Sequence, residues 1–144
     1  MAEVINLAMG TQKDYWIGLS DTDYEGKFRW DRSGSDTDDF HAWGTDEPNG
    51  GYSENCVTIT NEHTYFWSDE DCEAERTPLC FGNVLVNPCE EGWKLVGASG
   101  TCILVGDGGT TSYNQAKSRC EAKGGWLVRI INASSILRSN IIWR

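Results

Sequence analysis

Residues 47–69 read EPNGGYSENCVTITNEHTYFWSD, a stretch that combines turn-forming residues with side-chain oxygens. Its polar side chains include Glu47, Asn49, Glu54 and Asp69. Carboxylate and carboxamide oxygens are hard ligands, and calcium takes about six to eight of them at about 2.3–2.6 Å. Soft ligands are scarce in the same stretch. We therefore interpret it as a site for a hard divalent cation, and calcium is the expected ion.

The size and charge of the whole chain limit its fold and its partners. A chain of 144 residues and 16.0 kDa suffices for one domain with a real core, but not for two complete ones. The net charge of −10 repels nucleic acid phosphates and anionic membranes, so neither is an expected partner. No apolar run approaches the length that spans a bilayer, so membrane insertion is not expected either.

Six cysteines and two histidines, with no Cys-x-x-Cys pair, favour disulfides over a zinc site. Disulfides persist in oxidising compartments, so we expect a secreted or extracellular protein. The first sixteen residues lack the basic leader and long apolar core of a secretory signal. We expect Met1 to be a start added for expression, or the sequence to be a piece of a longer one.

The first part of the chain is predicted to form a short helix, several strands and one long loop. Apolar spacing predicts a helix at Ala2–Met9 and strands at four further places. The loop from Ser33 to Gly51 is too long to be a simple connection, so we expect it to be functional. Because Pro78 cannot donate a backbone hydrogen bond, the last strand is predicted to lie at a sheet edge. The predicted strands are Tyr15–Leu19, Lys27–Trp30, Val57–Ile59 and Tyr65–Trp67, with the edge strand at Thr77–Phe81.

The pattern restarts after a short linker at 83–88. A hairpin is predicted from Cys89–Val96 and Thr101–Val105, stapled by its own cysteines. A helix follows with Ser112 or Thr111 as its N-cap, and it ends at Gly124. Further along, the sequence predicts a strand at Trp126–Ile131 and an apolar helix at Ser135–Trp143.

Ordered motifs in the two parts of the chain resemble the two halves of a C-type lectin domain. Residues 1–82 resemble the second half through Trp16-Ile17-Gly18-Leu19, Glu47-Pro48-Asn49, Glu54-Asn55-Cys56, Trp67-Ser68-Asp69 with Cys72, and Pro78-Leu79-Cys80. Residues 89–144 resemble the first half, in its long form, through Gly92-Trp93, Cys102, Tyr113, Ala116, Cys120 and Gly124-Gly125. The halves are therefore in inverted order.

The resemblance implies an α+β fold with antiparallel sheets, two helices, a long calcium-binding loop and disulfides. Carried over, the family's disulfides are Cys80–Cys120, Cys56–Cys72 and Cys89–Cys102, which use every cysteine once. We therefore expect one composite domain, either permuted within a chain or assembled by exchange in a domain-swapped homodimer. Both ends of the chain resemble the family's second helix, which also suggests a fragment cut across two tandem repeats.

The resemblance also implies calcium-dependent carbohydrate binding, in which two vicinal sugar hydroxyls complete the coordination of the ion. Glu47, Asn49, Glu54 and Asp69 match the family's principal calcium ligands, which also bind the sugar. The order Glu-Pro-Asn resembles the version that favours mannose, fucose and N-acetylglucosamine, with a cis bond before Pro48. The galactose version reads Gln-Pro-Asp.

The chain departs from the family pattern at two positions of the site. Ser68 stands where the family usually has Asn, and a hydroxyl is a weaker ligand than a carboxamide oxygen. We therefore keep Ser68 as a fifth, weaker metal ligand. A second calcium site would use Glu54 again, but Gly50 stands where an acid is often found. The other ligands of that second site would be Asp21, Glu25 and Asn55.

Simpler interpretations exist for each feature on its own. Pro48 followed by Asn49 and two glycines is typical of a turn, and single acids are common on an acidic surface. Six tryptophans, at positions 16, 30, 43, 67, 93 and 126, are expected in the core rather than as sugar platforms. His41 and His63 are expected in loops, and Asn132 begins a glycosylation sequon.

Two other functions compete with sugar binding. The first is a protein- or surface-binding C-type lectin-like module that has lost sugar recognition, for which Ser68 is the main support. The second is a hydrolase, which is disfavoured because no nucleophile and base are paired in the sequence. We therefore expect no enzymatic activity and no catalytic residues.

Overall fold

A computed structural model describes residues 13–32, 40–61, 66–83, 89–96, 101–106 and 108–130. These residues form eight strands, one α-helix (α1, Tyr113–Ala122) and one short 3₁₀ helix (Gly51–Ser53). The strands are β1 Tyr15–Ser20, β2 Arg29–Trp30, β3 Cys56–Ile59, β4 Trp67–Glu70, β5 Thr77–Asn83, β6 Lys94–Val96, β7 Thr101–Val105 and β8 Trp126–Leu127. The fold is thus α+β, and the described residues hold one α-helix where the resemblance implies two.

Several predictions fall on residues outside the described ranges. They are the helices at Ala2–Met9 and Ser135–Trp143, loop residues 33–39, the turn at His63, residues 84–88 of the linker, and the sequon at Asn132. None of the described helices is both long and apolar enough to cross a membrane.

The prediction that residues 77–81 form an edge strand is wrong. The strand order is β4-β3-β1-β5-β7-β6, with β2 paired to β1 and β8 paired to β5. Strand β5 therefore lies in the middle of the sheet. Pro78 is tolerated there because it faces the short parallel pairing with Trp16, and its carbonyl accepts a hydrogen bond from the Gly106 N–H at 3.2 Å.

Strand β1 divides the core between its two faces, as expected for side chains that alternate along a strand. Tyr15, Ile17 and Leu19 pack into one cluster, while Trp16 packs into the other, edge-to-face with Tyr113 of α1. At Gly18 a Cβ would lie 3.0 Å from the Leu127 carbonyl oxygen, so glycine permits this close approach of β1 to the end of β8.

The second segment, residues 89–130, docks on β5. Strands β7 and β8 pair with β5, and the Cys80–Cys120 disulfide joins β5 to α1. The other disulfides are Cys56–Cys72 and Cys89–Cys102, so the pairing is the one that the resemblance implies. The predicted hairpin is present as β6 and β7. The core therefore joins the two segments within one chain.

Three predicted strand boundaries are wrong. β4 covers residues 67–70 instead of 65–67, because the β3 register pairs Val57 with Asp69 and Ile59 with Trp67. β2 has two residues rather than four, and β8 has two rather than six. After β8 the chain still hydrogen-bonds to its neighbours, through Val128 N–H to the Leu79 carbonyl, but without a regular ladder. The α1 helix matches its prediction, with Ser112 at the N-cap position.

Candidate metal centre

Residues 40–44, which precede the Glu-Pro-Asn triplet, lie alongside β4. The Trp67 N–H donates to the Ala42 carbonyl at 2.8 Å, and the Gly44 N–H donates to the Trp67 carbonyl at 2.8 Å. The buried Trp67 ring also makes edge contacts with Phe40 and Trp43. These contacts fix the end of the loop beside the strand that carries residues 68 and 69.

Asp69 is the centre of the candidate site. Its carboxylate accepts the Asn49 N–H on Oδ1 and the Gly50 N–H on Oδ2, each at 2.9 Å. The residue is only 3% exposed, so both backbone donors satisfy a buried carboxylate. The Asn49 side-chain amide donates to Glu47 Oε1 at 3.0 Å. Three predicted ligands from two distant parts of the sequence are therefore neighbours, across a cis bond between Glu47 and Pro48.

The electrostatics of Glu47 reflect this crowding of acids. Burial, followed by the hydrogen bond and charge of Asp69, raises the pKa of Glu47 from 4.5 to about 7. The Ser68 hydroxyl opposes the shift because its hydrogen bond to Glu47 lowers the pKa. Ser68 is buried next to Asp69, and its role as a weaker metal ligand stays a prediction.

Glu54 lies across the same loop and is tightly fitted against it. A Cβ added at Gly50 would lie 2.1 Å from Glu54 Cβ and 2.2 Å from Glu54 Oε2. Burial, followed by the negative charges of Asp69, Glu70 and Asp71, raises the pKa of Glu54. Glycine at position 50 therefore makes room for the Glu54 side chain.

The predicted second site is built where the turn after β1 meets the chain before β3. The Asp21 N–H donates to the Asn55 carbonyl at 3.0 Å, and Asp21 Oδ2 accepts the Gly26 N–H at 2.7 Å. Asp21 Oδ1 and Asn55 Oδ1 are buried without a hydrogen-bond partner among the described residues. Burial raises the pKa of Asp21. Glu25 is exposed on the turn. Desolvation, followed by the negative charges of Asp21 and Asp69, raises the pKa of Glu25.

The donor set fits calcium in its chemistry. Carboxylate, carboxamide and hydroxyl oxygens are hard ligands, and two of them at the second site are buried with no hydrogen-bond partner in the part of the chain that the structure describes. Within the described ranges, however, no three His, Cys, Asp or Glu side chains converge closely enough to hold a metal as they stand.

A comparison with protein families gives the identity of the fold. The family model for the lectin C-type domain matches residues 2–81, more than half of the chain. The chain belongs to the C-type lectin domain family.

Individual relatives match different shares of the C-type lectin chain. It is 30% identical over 139 residues to human C-type mannose receptor 2, covering 86% of this chain and 9% of that receptor. It is 35% identical over 66 residues to lectin BRA-3 of Megabalanus rosa, covering 45% of this chain and 40% of that lectin. The chain therefore spans less than half of the length of either relative.

Among solved structures, the C-type lectin chain is similar to the EPNH mutant of CEL-I. The sequence identity is 26%, the match covers 52% of this chain and 55% of that one, and the TM-score is 0.45.

One exposed aromatic residue beside the candidate site was not singled out by the sequence reasoning. Tyr52, in the 3₁₀ helix between Asn49 and Glu54, is 85% exposed, and its carbonyl accepts the Asn55 side-chain amide at 3.2 Å. An aromatic residue isolated among glycine and serine was the signal that could have indicated it. The tryptophans were predicted to be core, and Trp16, Trp30 and Trp67 are buried, while Trp43, Trp93 and Trp126 are half-buried.

Proposed function

We propose that the chain is a calcium-dependent carbohydrate-binding domain for sugars of the mannose, fucose and N-acetylglucosamine type. The observation that carries this proposal is the position of Asp69, a buried carboxylate that fixes the backbone of Asn49 and Gly50 beside Glu47. A buried acid that organises further oxygen ligands is the arrangement that a hard cation requires. The module binds and has no catalytic residues in this proposal.

The principal calcium ligands are Glu47, Asn49, Glu54 and Asp69, with Ser68 as a weaker fifth. When bound, calcium supplies the centre to which two vicinal sugar hydroxyls coordinate. The protein's own side chains hold the other coordination positions and orient the hydroxyls, with carboxylates accepting hydrogen bonds and the Asn49 amide donating one. The second site, with Asp21, Glu25, Asn55 and again Glu54, would stabilise the loop without contacting sugar.

The Glu-Pro-Asn order supports the mannose type. The Asn49 amide and the Glu47 carboxylate are already in contact at 3.0 Å, so one donor and one acceptor are adjacent at the proposed sugar-binding edge. Human C-type mannose receptor 2, which is similar over most of the chain, carries mannose in its name. We expect the protein to be extracellular, since its three disulfides need an oxidising compartment.

A direct test replaces the two triplet ligands. Glu47→Ala and Asn49→Ala should each abolish mannose binding in calcium, while Glu73→Ala, an exposed acid outside the site, should leave it unchanged. The double change Glu47→Gln with Asn49→Asp creates the Gln-Pro-Asp order and should shift preference toward galactose. If both single variants bind mannose as tightly as the parent chain, the assignment of the triplet is wrong.

The competing function is a protein- or surface-binding module without sugar recognition. The observation that favours it is Ser68, because its hydroxyl is used internally against Glu47. Ser68→Asn distinguishes the two functions, since it restores the family's usual residue. A variant that gains mannose binding absent from the parent supports the competing function. An unchanged or modestly tighter affinity supports the sugar-binding one.

We further propose that residues 1–82 and 89–144 act as one composite domain. The Cys80–Cys120 bond joins the two segments, and it would do so within one chain in a permuted domain and between chains in the domain-swapped homodimer. Non-reducing peptide mapping combined with the mass of the native particle separates them. A monomer with the Cys80–Cys120 peptide supports permutation, and the same link within a covalent dimer supports exchange.

A further inference from the structure

A second ligand-sized feature is a partly enclosed groove formed by both segments of the chain. It has a volume of about 270 Å³ and is lined by Trp30, Asp31, Arg32, Phe81, Leu127 and Arg129. The first four residues belong to the first segment and the last two to the second. The groove therefore exists only when the composite domain is closed, and none of its lining residues belongs to the candidate metal centre.

The charge of the groove is opposite to that of the protein. Two guanidinium groups, those of Arg32 and Arg129, line it in a chain with a net charge of −10. The one carboxylate in the lining, Asp31, is already paired with Lys117 of α1 at 2.6 Å. Among the residues that line it, the groove thus has two cationic side chains and one anionic one, a balance that attracts anions against the repulsion of the overall surface.

Arg32 stacks on an aromatic ring. Its guanidinium carbon lies 3.4 Å from the centroid of the Trp126 ring, which itself packs against Phe81 at 5.6 Å. Stacking on an aromatic face leaves the edge of the guanidinium available for hydrogen bonds. Among the described residues, no hydrogen-bond or carboxylate partner of Arg32 is present. The group is thus oriented and its donors are not used within this part of the chain.

The rest of the lining determines the kind of anion. Trp30, Phe81 and Leu127 provide apolar surface, which a bare inorganic anion would not contact favourably. The volume lies just below the range of about 300–1,000 Å³ that is typical of drug-sized ligands, so it suits a single ring. Guanidinium groups bind carboxylate and sulfate through paired hydrogen bonds.

We propose that this groove binds an acidic monosaccharide unit, with its carboxylate or sulfate on Arg32 and Arg129 and its ring against Trp30, Phe81 and Leu127. Binding is independent of calcium, because no calcium ligand lines the groove. It therefore stands or falls separately from the proposed mannose-type function.

The test is a binding titration of the whole, disulfide-intact chain in excess EDTA, which removes any contribution from the metal centre. The probes are glucuronate and N-acetylglucosamine 6-sulfate, with glucose, N-acetylglucosamine, inorganic sulfate and N-acetylaspartate for comparison. Glucuronate or the sulfated sugar should bind more tightly than every comparison probe. If the neutral sugars bind as tightly as the acidic ones, the negative charge of the ligand does not contribute to binding. Equal binding of sulfate or N-acetylaspartate makes this a simple anion site. Either of these results, or no binding at all, overturns the proposal.

Variants identify the groove. Arg32→Gln, at an exposed position, and Arg129→Gln should each weaken binding about tenfold, as the loss of a charged hydrogen-bonding pair implies. Arg32→Lys keeps the charge but not the paired donors, so it should lie between the parent and Arg32→Gln. Lys94→Gln changes the same charge on the exposed face of β6, outside the groove, and should have no effect. Unchanged binding by Arg32→Gln, in protein whose disulfides and thermal midpoint match the parent, overturns the proposal.

Discussion

The candidate metal centre and the docked second segment are stabilised by different kinds of contact. The metal centre is local to the first segment, since the donors to Asp69 are Asn49 and Gly50, and the loop is fixed to β4 at Trp67. The second segment, residues 89–130, is joined to the first by strand pairing on β5 and by a disulfide.

The proposed calcium ligands and the contacts that join the two segments therefore involve different residues. The second segment contacts the first at β1, at β5 and along the chain around residue 76, where Arg76 and Thr111 form a two-bond bridge. It supplies none of the predicted calcium ligands. It does supply buried core, including Ile103 and Leu127, against which β1 and β5 pack. Changes in the second segment should therefore alter stability more than ligand affinity, and changes in the loop should do the reverse.

The largest expected effect on stability comes from the disulfide that joins the segments. Replacing Cys80 and Cys120 together with Ser should lower the free energy of unfolding by about 4 kcal/mol, since the bond closes a long loop with a sequence separation of 40. Urea unfolding of the oxidised parent and the double variant measures the difference.

The matched comparison is the Cys89–Cys102 bond inside the second segment. Its loop is shorter, with a separation of 13, so its double Ser variant should lose about 3 kcal/mol. Calcium affinity, measured where this variant is folded, should match the parent. A large loss of calcium affinity here would mean that the metal centre depends directly on the second segment.

Asp69→Asn should have the largest effect on the metal centre. An amide in place of the carboxylate faces a backbone N–H with its own NH₂ group, so one of the two loop contacts is lost together with a charged ligand. Calcium affinity should fall by at least about tenfold. Asp71→Asn, an exposed acid two residues later, makes the same change of charge as a control. Calorimetric titrations measure the calcium affinity of both variants. Equal affinities would show that Asp69 is not a calcium ligand.

The pKa of Glu47 predicts a smaller, pH-dependent effect. Because its folded value is raised from 4.5 to about 7, the calcium-free folded state binds more protons than the unfolded state between these values. Stability without calcium should therefore fall as pH rises through this window. Bound calcium requires the ionised carboxylate, so the thermal shift caused by calcium should be larger at about pH 8 than at about pH 5. Melting curves with calcium and with EDTA at both values test this, and a shift equal at both would contradict it.

The smallest effect is expected at Gly50. A methyl group there would meet the Glu54 side chain at 2.1 Å, so Gly50→Ala must displace Glu54. Calcium affinity should fall by about threefold to tenfold. Because the nearest atom is Glu54 Cβ, which is fixed to the backbone, the loop backbone must also shift, so the free energy of unfolding without calcium should fall as well. Ser53→Ala, which removes the nearby hydroxyl bond to the Gly50 carbonyl, is the control for general loosening of the loop. Equal losses in both variants would indicate loosening rather than displacement of Glu54.

The order of motifs and the six cysteines were enough to predict the family and the α+β fold. Both are encoded locally, in short runs such as Trp16-Ile17-Gly18-Leu19 and in the spacing of Cys56 and Cys72. The helix at α1 was also predictable, because a cap at Ser112 and a glycine at 124 bound it.

Features that depend on later parts of the chain were not predictable in the same way. The central position of β5 was missed because its partners, β7 and β8, follow it in the sequence, and Pro78 indicated an edge. The start of β4 was missed because the aromatic run before Trp67 has equal strand propensity, and only the register against β3 decides the boundary.

The candidate site was predicted as a set of residues but not as a geometry. The structure brings Glu47, Asn49 and Asp69 together, and their role as calcium ligands remains a prediction. The sequence did not indicate that Trp43 would pack on Trp67 and fix the loop.

The most direct test of calcium-dependent sugar binding is a sequential calorimetric titration of the whole chain. Mannose is added to protein in excess EDTA, then calcium is restored, and then mannose is added again. The proposed function predicts no mannose binding in EDTA, saturable calcium binding, and mannose binding only afterwards. Mannose binding that is equally strong in excess EDTA would contradict it.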